Sequence, residues 1–106
     1  MLDVSNETRY YVRMAIKSFK CKDTQALFLG QRVRRWINVE RVALRKLEQL
    51  DWSAVLDDLR VPPGNQLEAL NRDRKGQHSI RINDQWRVCF IWTAEGVMDV
   101  EIVDYH

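Results

Sequence analysis

The sequence is short of the residues that interrupt regular structure: it has 4 Gly and 2 Pro among 106 residues, so long structureless stretches are not expected. It is equally short of cysteine. Cys21 and Cys89 lie far apart, allow at most one bridge and lack metal-ligand spacing. Two free thiols in a reducing cytosol are the expectation. Cys89 falls within an apolar, strand-like run, where a small core or half-buried residue is expected. No apolar run approaches the roughly 20 residues that span a bilayer, so no membrane association is expected. The opening stretch, Met1-Leu2-Asp3-Val4-Ser5-Asn6-Glu7, offers neither a basic n-region nor an apolar h-region, which argues against a signal peptide. Internal repeats and low-complexity tracts are also missing, so no repeat architecture is expected.

What is present is one domain's worth of chain with a single modest core. Apolar residues make up 45% and charged residues 30%, a globular balance too apolar for disorder. The net charge of +2 is small, but it is unevenly placed. Arg32, Arg34, Arg35, Arg41, Arg45 and Lys46 face a single acid, Glu40, in one stretch. Arg72, Arg74, Lys75, Arg81 and Arg87 form a second basic stretch. The acids collect elsewhere, at Glu48, Asp51, Asp57 and Asp58, and at Glu95, Asp99, Glu101 and Asp104. Two basic segments suit a polyanion, because phosphate contact releases condensed counterions. Charge alone suits a solvated helix face laced with ion pairs equally well.

The order of elements is an α+β pattern. Residues 15–19 alternate apolar and polar as a short strand. Asp23-Thr24 offers an N-cap to a short helix ending near Gly30, and Asn38 offers one to a longer helix. In that longer helix Val39, Val42, Ala43, Leu47 and Leu50 make one apolar stripe, with Arg41 and Arg45 a turn apart on its side. A further helical piece is expected over 54–59. After the turn-rich Val61-Pro62-Pro63-Gly64-Asn65 the period changes to two. Strands are predicted over 77–82, 86–93 and 97–103, with turns at Asn83-Asp84-Gln85 and Glu95-Gly96. Short connections make these an antiparallel meander with the helices on one face. His78, Ile80 and Ile82, Trp86, Val88 and Phe90, and Met98, Val100 and Ile102 are predicted on the core sides. Arg81 and Arg87 fall on the opposite parity. His78 is therefore read as a buried, hydrogen-bonded histidine, and Trp36 and Trp52 as packing or partner-contact residues. Residues 1–13 lack a cap or a period and read as an N-terminal extension ahead of a 14–106 domain.

Several segments also coincide with a known pattern. They are Ile16-Lys17-Ser18-Phe19; Pro63-Gly64-Asn65-Gln66-Leu67-Glu68-Ala69-Leu70; the run from Asp73 through Ser79-Ile80-Arg81-Ile82-Asn83-Asp84-Gln85-Trp86-Arg87-Val88-Cys89-Phe90; and Asp99 to Asp104-Tyr105-His106. In matching order over roughly residues 14–106, they resemble the HigB (GraT-like) toxins of the RelE/ParE superfamily. The resemblance implies a RelE-like strand–helix–helix–meander fold. It also implies a cytoplasmic toxin of a type II toxin–antitoxin pair, a ribosome-dependent mRNA endonuclease that inhibits translation. Its implied partners are the ribosome, mRNA and a HigA-like helix-turn-helix antitoxin. Operator DNA would be met only through the antitoxin complex.

Such an enzyme needs no cofactor if the RNA 2′-OH is the nucleophile. That hydroxyl must lose a proton, the phosphorane must be stabilised, and the 5′-oxygen must gain a proton. No residue cluster has convincing metal spacing, so a metal-free route is the simpler expectation. The resemblance carries Asp104, Tyr105 and His106 over as active-site residues. Arg87 matches the strand arginine that faces the scissile phosphate, and Arg74, Lys75 and Arg81 are weaker phosphate contacts. Arg41 and Arg45 fit docking onto ribosomal RNA. The chain departs from the pattern where some relatives carry a catalytic histidine in a Leu-His-Pro-Leu segment. Here Leu67-Glu68-Ala69-Leu70 stands in its place, so Glu68 is a weak candidate base. Two other readings remain open: a ParE-like, non-nucleolytic inhibitor of DNA gyrase, and a degenerate toxin acting only as co-repressor with its antitoxin.

Overall fold

The computed structural model describes residues 15–105; the extension expected over 1–13 and the terminal His106 lie outside them. Helix α1 spans Lys22–Phe28 and helix α2 spans Glu40–Trp52. Ala43, Leu47 and Leu50 of α2 are buried, and Arg41 and Arg45 are exposed on its outer side. The amphipathic reading of α2 therefore holds. The expected caps do not. Helix α1 begins after Cys21 with no side-chain cap bond. Thr24 is instead buried, and its Oγ1 accepts the backbone N–H of Ile102 at 3.0 Å. Asn38 does not cap α2: Val39 holds the N-cap position without a side-chain bond, at the end of a turn that links the helix to the 3-10 turn Arg34–Trp36. Val39 donates its N–H to Trp36 at 3.0 Å and accepts that of Ala43 at 2.8 Å. The helical piece expected over 54–59 is a 3-10 turn, Leu56–Arg60. Asp58 holds its start by accepting the N–H groups of Ala54 and Val55, at 2.8 and 3.1 Å.

The sheet has four antiparallel strands in the order β1 (Glu68–Ala69), β2 (His78–Arg81), β3 (Trp86–Thr93) and β4 (Gly96–Asp104). The predicted meander is β2–β3–β4; β1 is a two-residue addition on its edge. Trp36, Leu27, Ala43, Leu47, Leu50 and Leu59 pack against Ile80, Ile82, Val88, Phe90, Val97, Val100 and Ile102. Both helices thus cover one face, and each fully buried aliphatic side chain contributes about 1.5–3 kcal/mol. The predicted parity of β4 fails at Met98. Cys89 pairs with Glu101 but Ile91 pairs with Met98, so β4 carries one extra residue there, a β-bulge. Asp99 takes the bulge with φ 54°, a left-handed conformation that aspartate tolerates. Val97 therefore fills the core position expected for Met98. His78 is also not as expected. It is half-buried, stacked on Phe90 with ring centroids 6.2 Å apart, and its buried Nδ1 has no hydrogen-bond partner among the described residues.

The strand predicted over 15–19 is an extended segment lying parallel to β4, with bridges at Ile16–Val97 and Phe19–Val100. Lys17 and Lys20 donate to Val97 and Val100 at 2.7 and 3.0 Å. At its start, Ala15 and Ile16 donate to the backbone and side chain of Asp51 at the end of α2, at 3.0 and 2.9 Å. With Thr24 taking Ile102, the outer edge of β4 is covered rather than left to pair with another chain. Gly96 permits this approach. It sits at φ 144°, and a Cβ there would stand 2.7 Å from the Ala15 carbonyl and 2.6 Å from Lys17 Cγ. Gly96→Ala should destabilise the protein by about 1–3 kcal/mol, lowering the thermal midpoint by roughly 4–8 °C per kcal/mol. Gly64→Ala, with nothing within 4 Å of its added methyl, should unfold within about a degree or two of the parent. Circular dichroism melts of both variants check this.

Candidate active site

The face of the sheet turned away from the helices is polar. Register places Glu68, Ser79, Cys89 and Glu101 on one rung across all four strands. Arg81, Arg87 and Val103 form the next rung, so the two arginines are direct cross-strand neighbours. Arg87 is the centre of this face and only 7% exposed. A buried guanidinium cannot shed its charge, so its donors must be met. Nε donates to Ser79 Oγ at 2.8 Å. Nη2 donates to the Gln66 carbonyl at 2.6 Å and stands 3.7 Å from the Glu68 carboxylate. The Tyr105 ring lies over the guanidinium, 5.3 Å from its carbon, within cation–π range. Gln66 takes φ 47° after the 3-10 turn at Pro63–Asn65, immediately ahead of β1. Asn65 anchors that turn by donating to Gln49 Oε1 on α2 and to the Leu59 carbonyl in the 3-10 turn Leu56–Arg60, each at 3.0 Å.

Beside Arg87 lies a shallow cavity of about 270 Å³ lined by Arg74, Val103, Asp104 and Tyr105. Arg74 rises from the 3-10 turn Arg72–Arg74 and donates to Gln77 Oε1 and Glu101 Oε2, each at 3.1 Å. The bond it donates to Glu101 raises its proton affinity above that of an ordinary guanidinium, against the opposing effect of burial. Asp104 accepts from Gln85 Nε2 at 3.0 Å. The Tyr105 N–H donates to the Gln85 carbonyl at 2.6 Å. Arg81 is ion-paired with Asp84 in the β2–β3 turn, and Lys75 is exposed beside Arg74. Glu68, Arg87, Tyr105 and Arg74 therefore converge on this face, with Arg81 and Lys75 on the rim, while Asp104 borders the cavity from the opposite parity of β4, paired with Trp86. Arg41 and Arg45 do not join them; they stand on α2, behind the opposite face of the sheet. Among the described residues no group of three or more His, Cys, Asp and Glu side chains could hold a metal ion. No described helix is long and apolar enough to cross a membrane.

The family model described as RelE-like toxin of type II toxin-antitoxin system HigB matches residues 17–106. The chain belongs to the HigB-like toxin family. It is 39% identical over 90 residues to Toxin HigB-1 of Vibrio cholerae serotype O1, covering 83% of this chain and 94% of that one. An uncharacterized protein of Haemophilus influenzae is 40% identical over 58 residues, 55% of each chain. Among solved structures, a chain of the YoeB-YefM complex from Staphylococcus aureus superposes with a TM-score of 0.53. That alignment covers 89% of this chain and 98% of the other at 15% identity, a likeness of fold.

In this HigB-like chain, sequence reasoning missed the residues that support the arginine. Ser79, the partner of Arg87, shares the parity of Arg81, and Glu101, the partner of Arg74, is an outward residue of β4, so period two alone points to both. Nothing local points to the Gln66 carbonyl. Cys89 is fully buried as expected, but under this polar rung rather than in the apolar cluster. Burial pushes its thiol up, while Arg74 pulls it down less strongly. Its raised value means that stability from the neutral thiol is complete below the unfolded-state value of roughly 8.5 and falls as pH rises beyond it. Native protein should therefore react with a maleimide at Cys21 and not at Cys89, as peptide mapping would reveal. Cys89→Ala should show a smaller loss of stability than the parent between roughly pH 8 and 10, measured by urea unfolding.

Proposed function

We propose that this HigB-like toxin is a ribosome-dependent mRNA endonuclease that acts by metal-independent attack of the RNA 2′-OH, inhibiting translation. The observation that carries the reading is the Arg87 guanidinium, set in the polar face with Glu68 at 3.7 Å and Tyr105 above it. A phosphate drawn to Arg87 meets a carboxylate on one side and an aromatic ring on the other. Glu68 takes the 2′-OH proton as the new O–P bond forms. Arg87 stabilises the phosphorane charge. His106 protonates the departing 5′-oxygen, leaving a 2′,3′-cyclic phosphate. Tyr105 stacks on a base and Asp104 orients its neighbours in the tail. Arg74, Lys75 and Arg81 surround the site with positive charge for the adjoining phosphates. Arg41 and Arg45, across the molecule, contact ribosomal RNA phosphates without reading bases. A HigA-like helix-turn-helix antitoxin neutralises the toxin and carries it to operator DNA in the cytoplasm. The ribosome supplies substrate geometry, so the isolated protein should cut naked RNA poorly.

Induced expression followed by mapping of mRNA 5′ ends should show cuts within translated codons. Intact mRNA with stalled DNA replication would transfer the chain to the gyrase-inhibitor reading, and unimpaired growth to the co-repressor reading. On programmed ribosomes, Glu68→Gln and His106→Ala should each slow single-turnover cleavage by roughly 10²- to 10⁴-fold, as expected for loss of a general base or acid. Arg87→Lys keeps the charge but not the planar fork and should slow it by roughly 10²-fold or more. Faster cleavage by Glu68→Gln would mean that Glu68 restrains Arg87 and is not the base.

A further inference from the structure

The stretch at the end of β4, Asp104-Tyr105, is held against the sheet by one side of the β2–β3 turn. Strand β4 remains paired as far as Asp104, which lies opposite Trp86. One residue later, Tyr105 donates its N–H to the Gln85 carbonyl at 2.6 Å. The side chain of the same glutamine turns back, and its Nε2 donates to Asp104 Oδ2 at 3.0 Å. Gln85 thus grips two successive tail residues, one by main chain and one by side chain. The turn that presents Gln85 is itself fixed. Asn83 Oδ1 accepts the N–H groups of both Gln85 and Trp86, at 2.9 and 2.8 Å, an Asx turn. Arg81 and Asp84 are ion-paired in the same turn. The grip has a consequence at the site, because the Tyr105 ring it anchors is the one lying over Arg87.

Resting on the endonuclease reading above, we propose that Gln85 is a positioning residue that clamps the Asp104-Tyr105 tail over the Arg87 phosphate site. A residue past the last ladder pair of a strand frays unless it is tied down. Groups that must meet one phosphate lose rate steeply when displaced by about an ångström. The clamp supplies a restraint on Tyr105 that the β3–β4 ladder, which ends at Asp104, does not. Asn83 acts one step further back, by shaping the turn.

The test combines amide hydrogen exchange with single-turnover cleavage on programmed ribosomes, using the full chain and its Gln85→Glu, Asn83→Ala and Asn83→Asp variants. In the parent, the Tyr105 amide should exchange at least roughly tenfold more slowly than an unprotected amide. Gln85→Glu sets a second carboxylate against Asp104. It should remove that protection while leaving the Val103 amide and the thermal midpoint unchanged. Cleavage should slow by roughly ten- to a hundredfold, with the half-saturating ribosome concentration unaltered. Asn83→Ala should lose protection and rate together, and Asn83→Asp, which keeps the acceptor, should restore both. A freely exchanging Tyr105 amide in the parent overturns the clamp. So does a Gln85→Glu protein that retains its rate. A parent that cuts no mRNA overturns the endonuclease reading alone, and the clamp is then judged on the Tyr105 exchange.

Discussion

The buried guanidinium of Arg87 is the interaction around which the polar half of the molecule is organised. A charge that cannot be neutralised by losing a proton must be met by oriented acceptors once it is withdrawn from water. Here those acceptors come from separate places in the chain. Ser79 lies on β2, the Gln66 carbonyl lies in the turn before β1, Glu68 lies on β1, and Tyr105 follows β4. Meeting one charge draws all of them to one point. The short strand β1 is held at this point by Arg87 and also by the flanking Leu67 and Leu70, which pack inward, and by the bond from Leu70 N–H to the Gln77 carbonyl.

The opposite face explains why the polar face can exist. Leu47, Leu50, Leu59 and Trp36 cover one side of the meander completely, and this apolar burial stabilises the domain. The other side is then free to carry arginines, carboxylates and a thiol that would weaken a core. The covered edge of β4 belongs to the same division. The 15–20 segment and Thr24 take its outward hydrogen-bonding groups, and Gly96 leaves room for the close approach. The last residues of β4 are thereby supported from one side by α1 and from the other by β3, and they carry the tail to the site.

Membership of the HigB-like family sets the class of the protein, and the arrangement within this chain sets its particular features. Glu68 stands in the stretch where some relatives place a histidine, and it is already paired with the arginine that would bind phosphate. A carboxylate there is an acceptor only, whereas an imidazole also donates. Arg41 and Arg45 stand behind the helix-covered face, apart from Arg87 on the polar face, so the two basic stretches of the chain lie on different surfaces.

Much of this was legible in the order of residues. The apolar stripe of α2, the alternation in β2 and β3, and the turns at Asn83-Asp84-Gln85 and Glu95-Gly96 are local patterns, and each produced the element it predicts. The shared face of Arg81 and Arg87 followed from period two. The failures have two causes. Thr24 and His78 were decided by contacts with other elements, Ile102 on β4 and Phe90 on β3. Asn38 and Met98 were decided by irregular backbone beside them, the turn that leads into α2 and the bulge at Asp99, which period and capping rules do not anticipate. The sequence by itself determined the fold class and the family, because periodicity and motif order are written along the chain. Only the tertiary structure decided that Arg87 is buried, that Glu68 and Ser79 are its partners, and that Gln85 holds the tail, because those contacts join elements whose relative position no local rule contains.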